Sequence, residues 1–202
     1  MFLYNIMVVI EFRYLTRNDV FDKKYIAWSR IYEYPYVLNM LKKLGATKKS
    51  TIHNSSWGFE GCHVTFKNDL DDIYTNTLHS DIKASSLKNT TVYDITTTPS
   101  DNLIERFDFV LNVSTVEEIK YSHVNIIQNL LKQVKVGGYL IITFDYNLNN
   151  TTGVGSIQLN EVENFFNIKL KDNINKISGL NTENIEKRNQ YLNCGVLVIQ
   201  KK

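Results

Sequence analysis

The chain has 202 residues, 43% apolar and 12% aromatic, enough for one domain with a real core and too rich in large side chains for a disordered segment. Its formal charge of +2, with lysines scattered along its length, carries no electrostatic footprint of a nucleic-acid binder, so RNA or DNA is not expected as a partner. Cys62 and Cys194 are the only cysteines. They make neither a disulfide framework nor a CxxC metal or redox motif, so reduced thiols in a cytoplasmic protein are expected, with no metal.

The chain opens on MFLYNIMVVIEF, an apolar run of about ten residues that is too short to cross a bilayer. It has no basic leader and no small-residue cleavage site. It reads as a strand or docking segment that packs on the domain or on a second copy, so a homodimer through it is one expectation and a membrane is not. In YIAWSRIYEYPYVLNMLKKL, residues 25–44, Trp28, Ile31, Val37, Leu38 and Leu41 recur at helical spacing. Pro35 lacks an N–H and restricts Tyr34, which predicts a helix starting at Pro35 and running to Leu44. Gly45 is its stop. The preceding aromatic residues read as a shorter helix or a lid. Arg30 and Glu33 sit at helical spacing, either as a surface pair or within a lid that excludes water from a site. Residues 1–44 thus form an N-terminal strand with a helical lid or docking segment, and residues 45–202 form the main domain.

STIH is a short strand, followed by the turn NSSWGFEG and a helix over residues 60–74. NTLHSDI is a strand ending at Asp81, TTVYDI a strand ending at Asp94, and Pro99 and Asp101 mark a loop. FDFVLNV, residues 107–113, is short and built from aromatic and branched residues, a strong strand signal. Residues 116–134 predict one amphipathic helix with Ile119, Ile126, Ile127, Leu130, Leu131 and Val134 inward, ended by Gly137 and Gly138. YLIITF is an all-apolar strand of the kind buried on both faces. The polar loop NLNNTTGVGS, a helix over residues 159–166, the strand NIKL and the strand CGVLVIQ complete the chain. Alternating strands and helices imply an α/β, doubly wound, mostly parallel sheet with helices on both faces. The last strand has no long crossover and is expected as an antiparallel strand at the edge. Ligands in such sheets bind at the C-terminal strand ends, beside the switch point in strand order.

From residue 107 to 144, FDFVLNVSTVEEI, a helix and VKVGGYLIITF are similar to the fourth strand, following helix, Gly-Gly turn and fifth strand of class I S-adenosylmethionine-dependent methyltransferases. The resemblance covers residues 44–144 and reaches the last third by topology alone. It implies a Rossmann-like seven-stranded sheet and S-adenosylmethionine as cofactor. Where the family has an acidic residue and a GxG turn, this chain has Asn54, Ser55, Ser56, Trp57 and Gly58. The element order places Asp81 on the ribose hydroxyls, Asp94 near the adenine amine and Asn112 beside the methionine part. The cofactor-binding set implied is Asn54, Ser56, Trp57, Gly58, Glu60, Gly61, Asp81, Asp94 and Asn112.

One carboxylate accepting from both hydroxyls of a diol is an efficient anchor, which suits Asp81. A helix cap would use the same residue type. Asp94 in DITTTPSD fits an Asx turn equally well. Gly58 and Gly61 let backbone approach a ligand or let a helix pack on the sheet. Glu60 offers a carboxylate near the turn, or simply complements a helix N-terminus. Candidate bases are His53, His63, His79, His123, Glu117, Glu118, Asp145 and Tyr146. Asp145 and Tyr146 are favoured because they follow a strand and face the acceptor side. His53 is expected to pack within its strand and His123 to be exposed on its helix. The function read from the sequence is methyl transfer to a small polar acceptor, a sugar or metabolite, directed at oxygen. The alternative is a catalytically degenerate member used as a binding or oligomerisation module.

Overall fold

The computed structural model describes residues 7–15, 19–25, 29–58, 61–146, 157, 159–168 and 193–202. The strands are β1 (Met7–Tyr14), β2 (Thr51–Ser55), β3 (Asn76–Asp81), β4 (Thr90–Val92), β5 (Phe107–Val113), β6 (Val134–Tyr146) and β7 (Asn193–Lys201). They form one sheet in the order β1-β7-β6-β5-β2-β3-β4. Strands β4, β3, β2, β5 and β6 pair parallel, while β7 runs antiparallel to both β6 and β1. The last strand is therefore antiparallel, but the sheet edge belongs to the N-terminal strand, which covers β7. Chain order runs outward from β2 through β3 to β4, and from β5 to β6 on the other side. The switch point lies between β2 and β5.

Helices α1 (Arg30–Lys43) and α2 (Cys62–Ile73) cover one face, and α3 (His123–Gln133) and α4 (Leu159–Phe166) the other. On the first face Val37, Leu41, Phe66 and Leu70 are buried with Ile52, Leu111 and Val198. On the second Ile126, Leu130 and Val162 are buried with Val110, Leu140 and Leu197. The two-residue period of a strand splits neighbours between the two cores, and CGVLVI does so while apolar throughout because both faces are covered.

Three boundaries differ from the sequence expectation. Helix α1 begins at Arg30, with Pro35 inside it. The carbonyl that Pro35 leaves without a helical donor is that of Ile31, and it accepts instead from the backbone N–H of Asp22 at 2.9 Å. The helix expected over residues 116–134 is broken into a 3-10 turn at Val116–Glu118 and α3, because Ile119 is extended. Ser122 then caps α3, its hydroxyl accepting from the Asn125 N–H. The Gly-Gly pair does not end the helix. It lies inside β6, where a Cβ on Gly138 would stand 2.6 Å from the Asp108 carbonyl oxygen. The predicted strand NIKL and Trp28 fall largely or wholly outside the described residues.

Candidate functional site

Two sets of polar groups gather at the C-terminal strand ends. The first flanks the switch point. Ser55 and Asn112 are register partners on β2 and β5, both buried. The Asn112 amide donates to the Ser55 carbonyl at 3.3 Å. Neither the Ser55 hydroxyl nor the Asn112 Oδ1 has a hydrogen-bond partner, a costly state for buried polar atoms that a ligand relieves. Ser56 follows with φ 57, keeping a left-handed backbone at a position without glycine. Gly58 also has positive φ, and a Cβ there would lie 2.8 Å from the His63 ring. Its N–H donates to Asp81 Oδ2 at 3.3 Å, and Lys83 N–H to Asp81 Oδ1 at 3.4 Å. The Asp81 carboxylate is half-buried and these contacts are long, so it retains acceptor capacity.

The other expected cofactor residues are placed as follows. Asn54 is turned to the opposite face of β2, where its Nδ2 lies 3.3 Å from His79 Nδ1, and His79 Nε2 lies 3.0 Å from Asp71. Trp57 is buried, its N–H donating to the Ser80 carbonyl and its ring edge-on to His79. Gly61 caps α2 with φ 53 and ψ −127, a conformation natural to glycine. Asp94 is exposed and forms the Asx turn, Oδ1 accepting from Thr96 N at 2.9 Å and Thr96 Oγ1 at 2.7 Å. Glu60 lies outside the described residues, as does the Tyr146 side chain.

The second set is an acid cluster at the ends of β5 and β6. From α1 come Ser29, at its N-terminus, Arg30 and Glu33; from the turn after β5, Ser114 and Glu117; from β6, Thr143 and Asp145. Arg30 pairs with Glu33 at 2.5 Å, and Glu33 is fully buried. The pair read from sequence as a surface salt bridge or lid contact is a core ion pair. Thr143 Oγ1 donates to Glu33 Oε1 at 2.5 Å and Ser29 Oγ to Glu33 Oε2 at 2.8 Å. Ser29 Oγ also reaches Asp145 Oδ1 at 3.2 Å. Glu117 Oε1 accepts from the Asp145 N–H and from Ser114 Oγ, each at 2.8 Å. Its Oε2 is buried without a partner, as is Arg30 Nε.

Electrostatics divide these carboxyls. Burial would raise Glu33, but Arg30 and the hydrogen bonds from Thr143 and Ser29 outweigh it and hold it below the usual range. Burial, then the Glu33 charge, pushes Asp145 up to about 7. Burial, then Asp145, raises Glu117 well above its ordinary value. Glu33, Asp145 and Cys194 bring ligand atoms within 4.8 Å of one another. Both Glu33 oxygens are already engaged, and burial followed by the Glu33 charge raises the Cys194 thiol, so a metal would have to displace existing bonds.

The histidines named as candidate bases are placed differently. His53 is buried between Gln133 and Ser80, and burial lowers it to about 4. His123 is buried rather than exposed, because α3 starts there and turns it inward. His63 Nδ1 meets the Tyr34 hydroxyl at 2.5 Å. The sequence carries no site signal for Ser29 or Thr143 and none beyond a reduced thiol for Cys194; Arg30 and Glu33 are signalled by RIYEYPY, a charged pair set among aromatics. The loop after β5 links the two sets: Thr115 Oγ1 lies 3.5 Å from the Ser56 carbonyl while Ser114 holds Glu117.

The chain is similar along most of its length to the [4+2]-cyclase SpnF, with a TM-score of 0.59, 11% identity, and 95% of this chain and 88% of that one covered. It is also similar to a putative sarcosine dimethylglycine methyltransferase from Galdieria sulphuraria (TM-score 0.55, 11% identity, 84% and 85% covered) and to the methyltransferase CalH in complex with SAH (0.56, 10%, 84% and 55%). The fold is that of class I methyltransferases. Among methyltransferase-fold proteins SpnF shows that this architecture also houses a cyclase, so the fold does not fix the chemistry. No family model matches the chain. Among curated proteins, the tRNA uridine 5-carboxymethylaminomethyl modification enzyme MnmG of Malacoplasma penetrans is 27% identical over 179 residues, 84% of this chain and 25% of that protein. The chain thus spans about a quarter of the length of that relative. Among the described residues, no helix is long and apolar enough to cross a membrane.

Proposed function

We propose that the chain is an S-adenosylmethionine-dependent methyltransferase whose acceptor is a small polar molecule, a sugar or metabolite methylated on oxygen. The observation that carries this reading is Asp145, a buried carboxyl poised at about 7 on the strand next to the switch point. A general base works best with a pKa near the operating pH. The residues beside the switch point fit the cofactor: Ser55 Oγ and Asn112 Oδ1 lack partners, and Asp81 has acceptor capacity for a diol. In this reading Asp81, Asn112, Ser55 and the 56–58 backbone would hold the cofactor, which would supply an activated methyl group. Gly61, Trp57 and Asp94 shape the surrounding turns.

On the acceptor side, Asp145 takes the acceptor's proton, with Ser29 Oγ fixing its Oδ1 and Tyr146 beside it in sequence. Arg30 balances Glu33, and burial keeps water from the base. Helix α1, with Ser29 at its start, closes this side over the ends of β5 and β6. The relative's name favours a second reading, in which the acceptor is a modified uridine in tRNA.

Calorimetry with S-adenosylhomocysteine tests the proposal. Asp81→Ala is expected to weaken binding by about 10- to 100-fold, the equivalent of roughly 1.5–3 kcal/mol for hydrogen bonds to a charged group, with the fold intact by circular dichroism. No heat and no thermal shift at millimolar ligand removes the enzyme reading and leaves the binding or oligomerisation module.

A further inference from the structure

We infer that the acid cluster at the ends of β5 and β6 receives a protonated amine, so that the acceptor carries an ammonium group whichever of its atoms is methylated. The inference rests on the methyl-transfer reading for the word acceptor, but not for the binding itself. Its first support is charge. Glu33, Glu117 and Asp145 converge on one buried region with a single guanidinium, Arg30. Arg30 forms its direct ion pair with Glu33 and acts on Asp145 and Glu117 only through space, so among the described residues three carboxyls share one cation. The polar and titratable groups facing them are Ser29, Arg30, Glu33 and Tyr34 from α1, Ser114, Glu117 and Glu118 after β5, Thr143 and Asp145 from β6, and Cys194 from β7. None of the hydrogen bonds or ion pairs among the described residues brings a lysine or histidine to these carboxyls.

The second support is independent of charge. Glu117 Oε1 is pinned by the Asp145 N–H and Ser114 Oγ, which fixes the plane of its carboxyl within the cluster, yet Oε2 has no donor. For the ionised Glu117 carboxyl the missing group is a donor, and with the Asp145 carboxyl beside it the favourable donor is a positively charged one. An anion would be repelled, and a neutral hydroxyl would leave the charge unbalanced. A divalent cation is less suited, because the Glu33 oxygens are committed to Thr143, Ser29 and Arg30 and the ion would face the guanidinium. In the free protein burial favours the protonated forms of Glu117 and Asp145. An ammonium group seated between them drives those protons off.

Two sources of the amine are compatible with the fold: a free metabolite, and a nucleoside with an aminomethyl substituent of the kind the relative's name describes. Calorimetry on the full chain near pH 7 separates them, with ethanolamine against ethylene glycol and 5-aminomethyluridine against uridine. Each is titrated in phosphate and in MOPS, buffers that carry no primary amine, so that heat differences report protons exchanged. The amine is expected to bind at least about tenfold more tightly than its neutral counterpart, with up to about one proton released. Glu117→Gln and Asp145→Asn each abolish the preference and the proton release while S-adenosylhomocysteine binding persists. If one variant fails to fold, the other decides. Binding of ethanolamine alone assigns a metabolite, and of the nucleoside alone an RNA-derived acceptor. Equal affinity for amine and neutral probes, or zinc binding with no amine binding, overturns the inference. S-adenosylhomocysteine binding without amine binding overturns it and spares methyl transfer, whereas amine binding without S-adenosylhomocysteine binding does the reverse.

Discussion

Asp145→Asn replaces a carboxyl held at about 7 by an amide of the same shape, which still accepts from Ser29 Oγ. Because the native carboxyl titrates well above its unfolded value of 3.8, the folded protein binds the extra proton between the two values. Stability contributed by that proton is complete below about pH 4 and is lost as pH rises through about 7. A shift of about three units corresponds to a ceiling of about 4 kcal/mol, and sharing of charge with Glu33 reduces the expectation to roughly 2–4 kcal/mol. The variant should therefore be more stable than the parent by about that much near pH 8 and nearly equal to it near pH 3.5. The parent's own pH curve does not reveal this, since His53, His63, His79 and His123 are all lowered by burial and contribute the opposite slope in the same window. The difference curve between parent and variant, from urea unfolding at a series of pH values, isolates Asp145. A flat difference curve, or a variant less stable at high pH, would refute a near-neutral Asp145.

Other perturbations have signs fixed by the same structure. Arg30→Met removes the cation from a buried pair and should cost about 3–5 kcal/mol by urea unfolding, with much of the loss recovered in Arg30→Met/Glu33→Met. No recovery in the double variant would mean that Glu33 is held by Thr143 and Ser29 alone. Gly195→Ala places a Cβ 2.4 Å from the Phe144 ring, so a loss of about 1–3 kcal/mol is expected in thermal melts, partly relieved by Phe144→Leu. Ser56→Gly removes a side chain from a left-handed backbone and should stabilise by about 0.5–1 kcal/mol, with S-adenosylhomocysteine affinity equal or better. Weaker binding would mean that the Ser56 hydroxyl itself contacts the ligand.

Much of the fold was legible because it rests on local periodicity. The segment FDFVLNV is β5 over the expected residues, and α4 spans residues 159–166 as read. The start of α1 was not legible, because the donor that rescues the Ile31 carbonyl comes from Asp22, and no pattern within the helix announces it. The break after Glu118 depended on Ser122 capping a new helix, a signal hidden inside an otherwise amphipathic run. The sequence puts Asp145 just past a strand and Asp81 at the end of one; the structure has Asp145 inside β6 near its C-terminal end and Asp81 as the last residue of β3. The Arg30–Glu33 spacing looked the same for a solvated pair as for a buried one. What buries it is β6, met more than a hundred residues later, and local spacing does not encode such a meeting. Asn54 followed a different rule: strand alternation turned it to the α2 face, away from Ser55 and Asn112.

The seating of β1 against β7 governs how the sheet is assembled. Nearly the whole chain separates these strands, yet among the described residues β1 has no other strand neighbour, and β7 fills the gap between it and β6. Until β7 arrives, β1 is an unpaired apolar strand, and the outer half of β6 is an open edge. Closing this part of the sheet is a long-range step, entropically slow and exposed to mispairing. Destabilising β7 therefore releases two strands at once, and the end of the sheet that carries Asp145 and Cys194 opens with them.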